Sequence, residues 1–281
     1  MPLKSNPLMA ALIGTTFTFH ALPVHAQAGV PSAPQATYAD IADLSDSAGL
    51  VIVAQVMKVM RVEDQRAPGR RPGHGRFYVE ARTKALLTGN APLGESVKYL
   101  VDLPLDARGK PPKLKKQAVF LFARAVPGRP GELQLVTPVA QEPWSASGEA
   151  RLRGILKSLV SPDAPARVTG VRELLYVPGN LAGQGETQIF LTTRDGSAAS
   201  ITVRHDPGQP AAWGVSFSEL VADVGNPPQH DTLEWYRLAC FLPNTLPPGV
   251  NVSEGYAARM QAEADYRVVL GELGVCERNL S

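Results

Sequence analysis

The chain has 281 residues, of which 44% are hydrophobic and 19% are charged, and it contains 25 glycines, 25 prolines and two cysteines. This length suits one or two domains, and the apolar fraction is sufficient for a packed core. The composition excludes a collagen-like chain, a coiled coil and a dense disulfide scaffold, and an aromatic content of 6% disfavours a nucleic-acid reader that stacks bases.

The N-terminal segment has the features of a secretory signal peptide. Lys4 is its only charge, a mostly apolar stretch follows, and the tripeptide that ends at Ala26 suits a signal peptidase. We therefore expect residues 1–26 to be removed by cleavage between Ala26 and Gln27, and residues 27–37 to form a flexible leader. An uncleaved anchor is disfavoured because the stretch is too short and too polar for a spanning helix of about 20 residues. The expected location is the periplasm or the exterior.

Cys240 and Cys276 are the two cysteines, and an oxidising compartment favours a disulfide between them. The bridge would close a loop of 36 residues, for which chain entropy predicts a stabilisation of roughly 4 kcal/mol. Two free buried thiols are the alternative. Because Cys276 follows a predicted helix over residues 254–273, the bridge would pin this terminal helix to the helix that carries Cys240.

The net charge of +2 conceals two halves of opposite sign. Residues 27–160 carry 19 Lys and Arg against 12 Asp and Glu, whereas residues 161–281 carry 8 Arg, no Lys and 14 Asp and Glu. The change falls at the proline-rich segment 161–166, which predicts a boundary between a domain over residues 38–160 and a domain over residues 167–281. Such domains would attract each other.

The first domain is predicted to be a small β-barrel that follows a short helix over residues 38–46. Five runs rich in Val, Leu, Tyr and Phe are bounded by Gly/Pro clusters, at Leu50–Val62, Arg76–Leu87, Ser96–Asp102, Gln117–Val126 and Glu132–Thr137. The first run is apolar on both faces at its start and more polar later, as expected of a long strand that curls through a barrel. An amphipathic helix is predicted over residues 149–159.

These elements read, in chain order, as a short helix, GLVIVAQVMKV, a charged loop, RFYVEARTKALLTG, GESVKYLVDLP and KKQAVFLFARA. This order resembles secreted bacterial domains of the netrin-like type. The resemblance implies a five-stranded OB-type barrel, related in fold to the tissue inhibitors of metalloproteinases. Those inhibitors chelate zinc through an N-terminal Cys, whereas the predicted mature N-terminus here is Gln27. Metalloprotease inhibition by that route is therefore not implied.

The second domain is predicted to combine strands and helices, so the chain as a whole is of the α+β class. Three strands are predicted: Val171–Val177, Glu186–Thr193 and Ala199–Arg204. Arg194-Asp-Gly196 is a hairpin signal between the last two. Capping patterns at Ser216–Glu219 and Asp231–Glu234 predict two further helices. This half is similar only to uncharacterised exported proteins.

The segment RGKPPKLKK is the candidate binding site, with five positive charges in nine residues: Arg108, Lys110, Lys113, Lys115 and Lys116. A second loop carries four arginines and a histidine: Arg66, Arg70, Arg71, His74 and Arg76. Loops between strands are the usual ligand face of an OB-type barrel. The charges predict an anionic partner, such as a phospholipid head group, an envelope glycolipid or an acidic protein. A solvated edge and a docking face for the acidic second domain are the alternatives.

Three histidines remain in the predicted mature chain: His74, His205 and His230. An Asp follows His205 and His230 directly, but neighbouring residues of a strand point to opposite faces, and Asp231 is assigned to a helix cap. The sequence contains no HExxH, CxxC or GxSxG motif, and neither a metal nor a cofactor is predicted. Asp102 and Asp106 are expected to be solvated turn residues.

The sequence therefore favours a non-enzymatic, exported binding protein with an unidentified partner. Export and the scarcity of aromatic residues disfavour nucleic acid, and no later run is long enough to span a membrane. An envelope hydrolase is the alternative, with His205 and His230 as its candidate residues, and a structural envelope component is a third possibility. Three tryptophans are assigned to packing: Trp144, Trp213 and Trp235.

Overall fold

A computed structural model describes Met1, residues 35–219 and residues 224–280 of the chain. Apart from Met1, the expected signal peptide lies outside the described residues, as do its cleavage position between Ala26 and Gln27 and most of the leader. The described residues from 35 onward belong to one compact unit. Within the described part of the chain, no helix combines the length and the apolarity needed to cross a membrane.

The first six strands form a mixed sheet, of which five strands close into a barrel. They are β1 (Leu50–Arg61), β2 (His74–Thr88), β3 (Ser96–Pro104), β4 (Ala118–Ala125), β5 (Glu132–Leu135) and β6 (Gln141–Pro143). Neighbours follow the order β1-β2-β3-β5-β4, and β4 pairs with β1 to close the ring. The β3–β5 pair is parallel and the other pairs are antiparallel. The predicted five-stranded barrel is confirmed.

The start of β1 is buried on both faces, which explains its continuous apolar run. Val51, Ile52 and Ala54 each have 0% exposed surface. Two helices contribute leucines to the core that contains these residues, α1 (Tyr38–Ser47) through Leu44 and α2 (Ala146–Leu159) through Leu152. One face of this segment points into the barrel and the other packs under helices. Neither face contacts solvent, so neither requires polar residues.

The second half forms a four-stranded antiparallel sheet in the order β10-β9-β8-β7. Its elements are β7 (Val168–Pro178), β8 (Gly185–Thr193), β9 (Ser200–His205), β10 (Ala212–Ser216), α3 (Leu233–Ala239) and α4 (Gly255–Leu273). The helix α4 ends as predicted at Gly274, whose φ of 70° is a conformation that suits glycine. This sheet, α3 and α4 surround a second hydrophobic core, to which α1 and α2 also contribute. The domain division at residues 161–166 stays a prediction.

Local predictions in the second half need two corrections. Ser216 ends strand β10 instead of starting a helix, and residues 217–219 are bends, while residues 220–223 lie outside the described part. The cap of α3 is Thr232, whose hydroxyl accepts a hydrogen bond from the Trp235 amide at 3.2 Å, and not Asp231. Asp231 precedes the cap with a φ of 60°. At Ser216 pairing with β9 determines the structure, whereas at α3 the hydroxyl of the next residue, Thr232, provides the cap.

Asp102 is a third correction, because it lies in β3 and is only 3% exposed. Its two carboxylate oxygens accept from Nε and Nη2 of Arg76 at 2.7 and 2.9 Å. The two residues are direct cross-strand partners in the β2–β3 register. Asp106 is an exposed turn residue, as predicted.

Three aspartates at every third position of α1 connect the two halves: Asp40, Asp43 and Asp46. Residues at this spacing lie on one side of a helix. Asp46 pairs with Arg167 and Arg237, and Asp43 pairs with Arg278. Burial alone would raise the pKa of Asp46, but the hydrogen bonds and charges of these two arginines lower it below its ordinary value.

The last residues of the described chain are held against the start of α1. The carboxylate of Asp40 accepts hydrogen bonds from the backbone N–H groups of Asn279 at 2.9 Å and Leu280 at 3.1 Å. The Thr37 hydroxyl donates to the carbonyl oxygen of Glu277 at 2.8 Å. The predicted Cys240–Cys276 disulfide is present and ties this segment to the end of α3.

We expect the substitutions Cys240→Ser and Cys276→Ser together to lower the free energy of unfolding by about 2–4 kcal/mol, since the unfolded chain gains the entropy of an open loop. Urea denaturation of the oxidised protein measures this change. Reductant should destabilise the wild type to a similar extent and leave the double variant unaffected. Equal stability of the two oxidised proteins would contradict the prediction.

Glu142 on β6 predicts a pH dependence of stability. Burial, with a smaller contribution from the charge of Asp40, raises its pKa from 4.5 to about 7. The folded chain therefore holds this proton more tightly than the unfolded chain, so the free energy of unfolding falls as the pH rises from 4.5 to about 7. Glu142→Gln should remove this decline and stabilise the protein relative to the wild type above pH 7, as measured by denaturation at a series of pH values.

Glu95→Gln, a change of the same kind at an exposed position, is the matched control and should leave the pH profile unchanged. A Glu142→Gln variant whose stability declines with pH as the wild type does would show that this carboxyl is not the cause.

Candidate functional site

The basic loop, defined as residues 108–116, lies between β3 and β4. All five of its cationic residues are exposed: Arg108, Lys110, Lys113, Lys115 and Lys116. The loop begins with a compact turn in which Asp106 Oδ1 accepts hydrogen bonds from the backbone N–H groups of Arg108 at 2.9 Å and Lys110 at 2.8 Å. Gly109 adopts a φ of 71° in this turn, a backbone conformation that glycine adopts without steric cost.

The backbone of the basic loop is attached to β1 at both ends. The N–H of Lys116 donates to the carbonyl oxygen of Val56 at 2.8 Å, and Gln55 Nε2 donates to the carbonyl oxygen of Lys116 at 3.2 Å. At the other end Arg61 Nη1 donates to the carbonyl oxygen of Gly109 at 3.2 Å. The backbone is therefore fixed while the charged side chains remain in solvent, which lowers the entropy lost when a partner binds.

The second basic loop, residues 66–76, uses most of its cations internally. Arg76 pairs with the buried Asp102, Arg70 pairs with Asp64 at 2.9 Å, and Arg71 Nη1 donates to the carbonyl oxygen of Leu280 at 3.1 Å. Hydrogen bonding raises the pKa of Arg76, with Asp102 as the main cause. These arginines stabilise the fold, so the basic loop is the better candidate for an external partner.

Within the described residues, no cation of the basic loop has a carboxylate partner within 4.0 Å. The ion pairs between the two halves instead join arginines of the acidic half to Asp43 and Asp46 of the basic half. The net charge of each half therefore does not predict which of its residues form the contact with the other half. The expected alternative, in which the basic loop binds the acidic half, has no ion pair to support it in this part of the chain.

His205 belongs to a polar cluster between the sheet and α4. Its Nε2 lies 2.8 Å from Oδ1 of Asp265, which is only 1% exposed. The other carboxylate oxygen accepts a hydrogen bond from the hydroxyl of buried Thr187, and Gln261 Nε2 donates to Oδ1 at 2.9 Å. The ring of Tyr176 meets the imidazole edge to face, with 6.3 Å between centroids. A buried carboxylate thus orients a partly exposed imidazole.

His230 lies apart from this cluster. Its ring packs on Trp235 with 4.0 Å between centroids, and Trp235 Nε1 donates to the carbonyl oxygen of Leu273. Leu273 follows Asp265 by eight residues in α4, a distance of about 12 Å along the helix axis. The two histidines therefore do not form one site. In the described ranges no group of three His, Cys, Asp or Glu side chains has the arrangement of a metal site.

Asp265 was not identified from the sequence, although the pattern of α4 contains a signal for it. The buried residues of this helix recur at helical spacing: Ala262, Asp265, Tyr266, Val269 and Leu273. A carboxylate within an apolar stripe requires a polar partner, because an unpaired buried charge is costly. The partner itself could not be read from the sequence, since His205 precedes Asp265 by 60 residues.

We expect Asp265→Ala to lower the free energy of unfolding by about 1–3 kcal/mol, because Thr187 and His205 lose their acceptor in a buried location. Chemical denaturation measures the change. Arg267→Ala, at an exposed position of the same helix, is the control and should stay within about 0.5 kcal/mol of the wild type. If both variants are as stable as the wild type, the cluster does not contribute to the fold.

Comparison of the chain with protein-family models and with curated proteins finds no match. The resemblance to netrin-like domains therefore stays a prediction. The function has to be inferred from the chemistry of the basic loop and the His205 cluster.

Proposed function

We propose that this chain is an exported, non-enzymatic binding protein that captures an anionic component of the cell envelope through its basic loop. The observation that carries the proposal is the set of five exposed cations on a backbone fixed to β1, without carboxylate partners in the described residues. A dense set of like charges on a fixed segment produces a local positive potential, which accelerates and stabilises association with anions.

An OB-type barrel of the netrin-like kind is part of this proposal. Its support is the strand order β1-β2-β3-β5-β4 with closure onto β1, together with the parallel β3–β5 pair. In barrels of this type the loops between strands contact ligands, and the basic loop connects β3 with β4.

Export to the periplasm or the exterior is supported by the disulfide between Cys240 and Cys276. Disulfides persist in oxidising compartments and are rare where thiols are kept reduced.

An envelope hydrolase is the second candidate, and the His205–Asp265 pair is the observation that favours it. A buried carboxylate that holds one ring nitrogen leaves the other available as a general base. Within the described residues, Nδ1 of His205 has no hydrogen-bond partner. A hydrolase would lose turnover in a His205→Ala variant, whereas a binding protein would retain its partner.

Reversal of three charges, Lys113→Glu, Lys115→Glu and Lys116→Glu, should weaken partner capture at least tenfold, because attraction becomes repulsion along the second half of the basic loop. Crosslinking mass spectrometry of the tagged protein in its native envelope measures capture. Capture by the wild type should fall between 0.1 M and 1 M salt, since the screening length decreases from about 10 Å to about 3 Å.

The matched control reverses three exposed charges outside the basic loop: Lys84→Glu, Lys157→Glu and Arg194→Glu. The two variants have the same net charge, so a difference between them reports position and not total charge. Thermal unfolding should show that both are folded. Equal capture by the wild type and the basic-loop variant would overturn the proposed function.

A further inference from the structure

The outer surface of the barrel beside the basic loop carries a row of three apolar residues. Met60 on β1 pairs with Tyr78 on β2, and Tyr78 pairs with Leu100 on β3. Directly paired residues project from the same face of a sheet. The neighbouring positions Val79 and Tyr99 are buried in the barrel core, so the row faces outward. Leu100 is 49% exposed, and Met60 and Tyr78 are half-buried.

A charged row borders the apolar row on one side. Lys58, Glu80 and Lys98 occupy the adjacent outward positions of β1, β2 and β3. With strands about 4.8 Å apart, the two lysines lie about 10 Å from each other. On the other side the row is bordered by the Arg76–Asp102 ion pair.

The basic loop lies beside the β1 edge of this surface. The hydrogen bonds from Arg61 to Gly109 and from Lys116 to Val56 place the loop along the edge of β1 that β2 does not occupy. Met57 is 41% exposed, has no partner on β2 because of a bulge in β1, and directly follows Val56, whose carbonyl oxygen accepts the hydrogen bond from Lys116. The loop and the three strands therefore form one surface, with apolar residues at its centre, charged residues of both signs beside them and the cationic loop at the β1 edge.

We propose that this surface, the sheet face of Met57, Met60, Tyr78 and Leu100 together with the basic loop, docks a partner protein that presents an apolar centre surrounded by carboxylates. The inference rests on the proposed function and specifies its partner. Tyrosine and methionine are enriched at the centres of protein interfaces, and charged residues are typical of the rim. The partner's carboxylates would meet Lys58, Lys98 and the basic loop, which gives the interface its orientation.

The distribution of charge favours a protein over an anionic membrane surface. Glu80 lies in the middle of the lysine row, where it would be repelled by a uniformly anionic surface. A protein can place a cation or an amide opposite this carboxylate. The apolar residues also lie within the strands β1, β2 and β3, and not at the tip of a loop that could insert into lipid.

The test compares two probes of equal length, poly-L-glutamate and a random copolymer of glutamate and tyrosine, whose binding to the folded protein is measured by fluorescence anisotropy. The copolymer should bind at least tenfold more tightly than polyglutamate, because its aromatic groups reach the apolar row. Tyr78→Thr and Leu100→Thr together should abolish this advantage and leave polyglutamate binding unchanged. Threonine suits strands, and thermal unfolding establishes that the variant is folded.

Leu86→Thr is the matched control, since Leu86 lies on β2, is 44% exposed and is outside the apolar row. It should retain the full preference for the copolymer. The basic-loop triple variant should lose affinity for both probes.

Other outcomes separate this inference from the proposed function. If the copolymer binds no better than polyglutamate, or if the Tyr78→Thr, Leu100→Thr variant keeps the preference, the protein-docking surface is overturned while anion capture stands. Tighter binding to phosphatidylglycerol vesicles than to either polypeptide, with loss in both variants, would identify a membrane instead and would also overturn the inference. If the basic-loop variant binds both probes as well as the wild type does, the proposed function fails as well.

Discussion

Three carboxylates on one side of α1 hold the two hydrophobic cores in a single fold. Asp46 binds two arginines of the second half, Asp43 binds Arg278, and Asp40 accepts backbone hydrogen bonds from the C-terminal segment. The Arg237 side chain is only 6% exposed, so removal of Asp46 would leave its charge largely desolvated. This ten-residue helix thus contributes to both cores and carries the ion pairs that join the two halves.

This arrangement has an electrostatic consequence for the barrel. The ion pairs between the halves join carboxylates of the basic half to arginines of the acidic half. In each half these residues carry the less abundant charge, which the pairing neutralises. The majority charges remain on the outside, and the cations of the basic loop are among them. The fold therefore increases the charge contrast between its two surfaces, which favours long-range attraction of an anionic partner to the barrel.

The sequence allowed the regular elements to be predicted where a single periodicity dominates. The five barrel strands, α2 and α4 follow from apolar patterns and from Gly/Pro boundaries, and the disulfide follows from a chain with two cysteines. The edge strands β6 and β10 have three and five residues, which is too short for a periodic signal. Their existence depends on pairing with β4 and β9, respectively.

The polar sites were less predictable for the same physical reason. The basic loop is recognisable in the sequence as a local cluster of charge. The roles of the other sites depend on strand register and helix packing, which the sequence does not show directly: Asp102, Asp265 and the row of Met60, Tyr78 and Leu100. The sequence pattern of one strand or helix does not show which other element packs against it. It therefore does not indicate that a particular leucine is exposed or that a particular aspartate is buried.

The attachment of the C-terminal segment to α1 also affects the order of folding. The partners of Asp40 and Asp43 include residues 278–280, at the far end of the chain. In a chain that emerges from its N-terminus, the β1–β2 and β2–β3 hairpins can form early, since their strands follow one another in sequence, whereas closure of the barrel pairs Leu50 with Ala123. The carboxylates of Asp40 and Asp43 on α1, in contrast, can form these hydrogen bonds and ion pairs only when the last residues of the chain are present. Completion of the fold is thereby delayed until residues 278–280 are available.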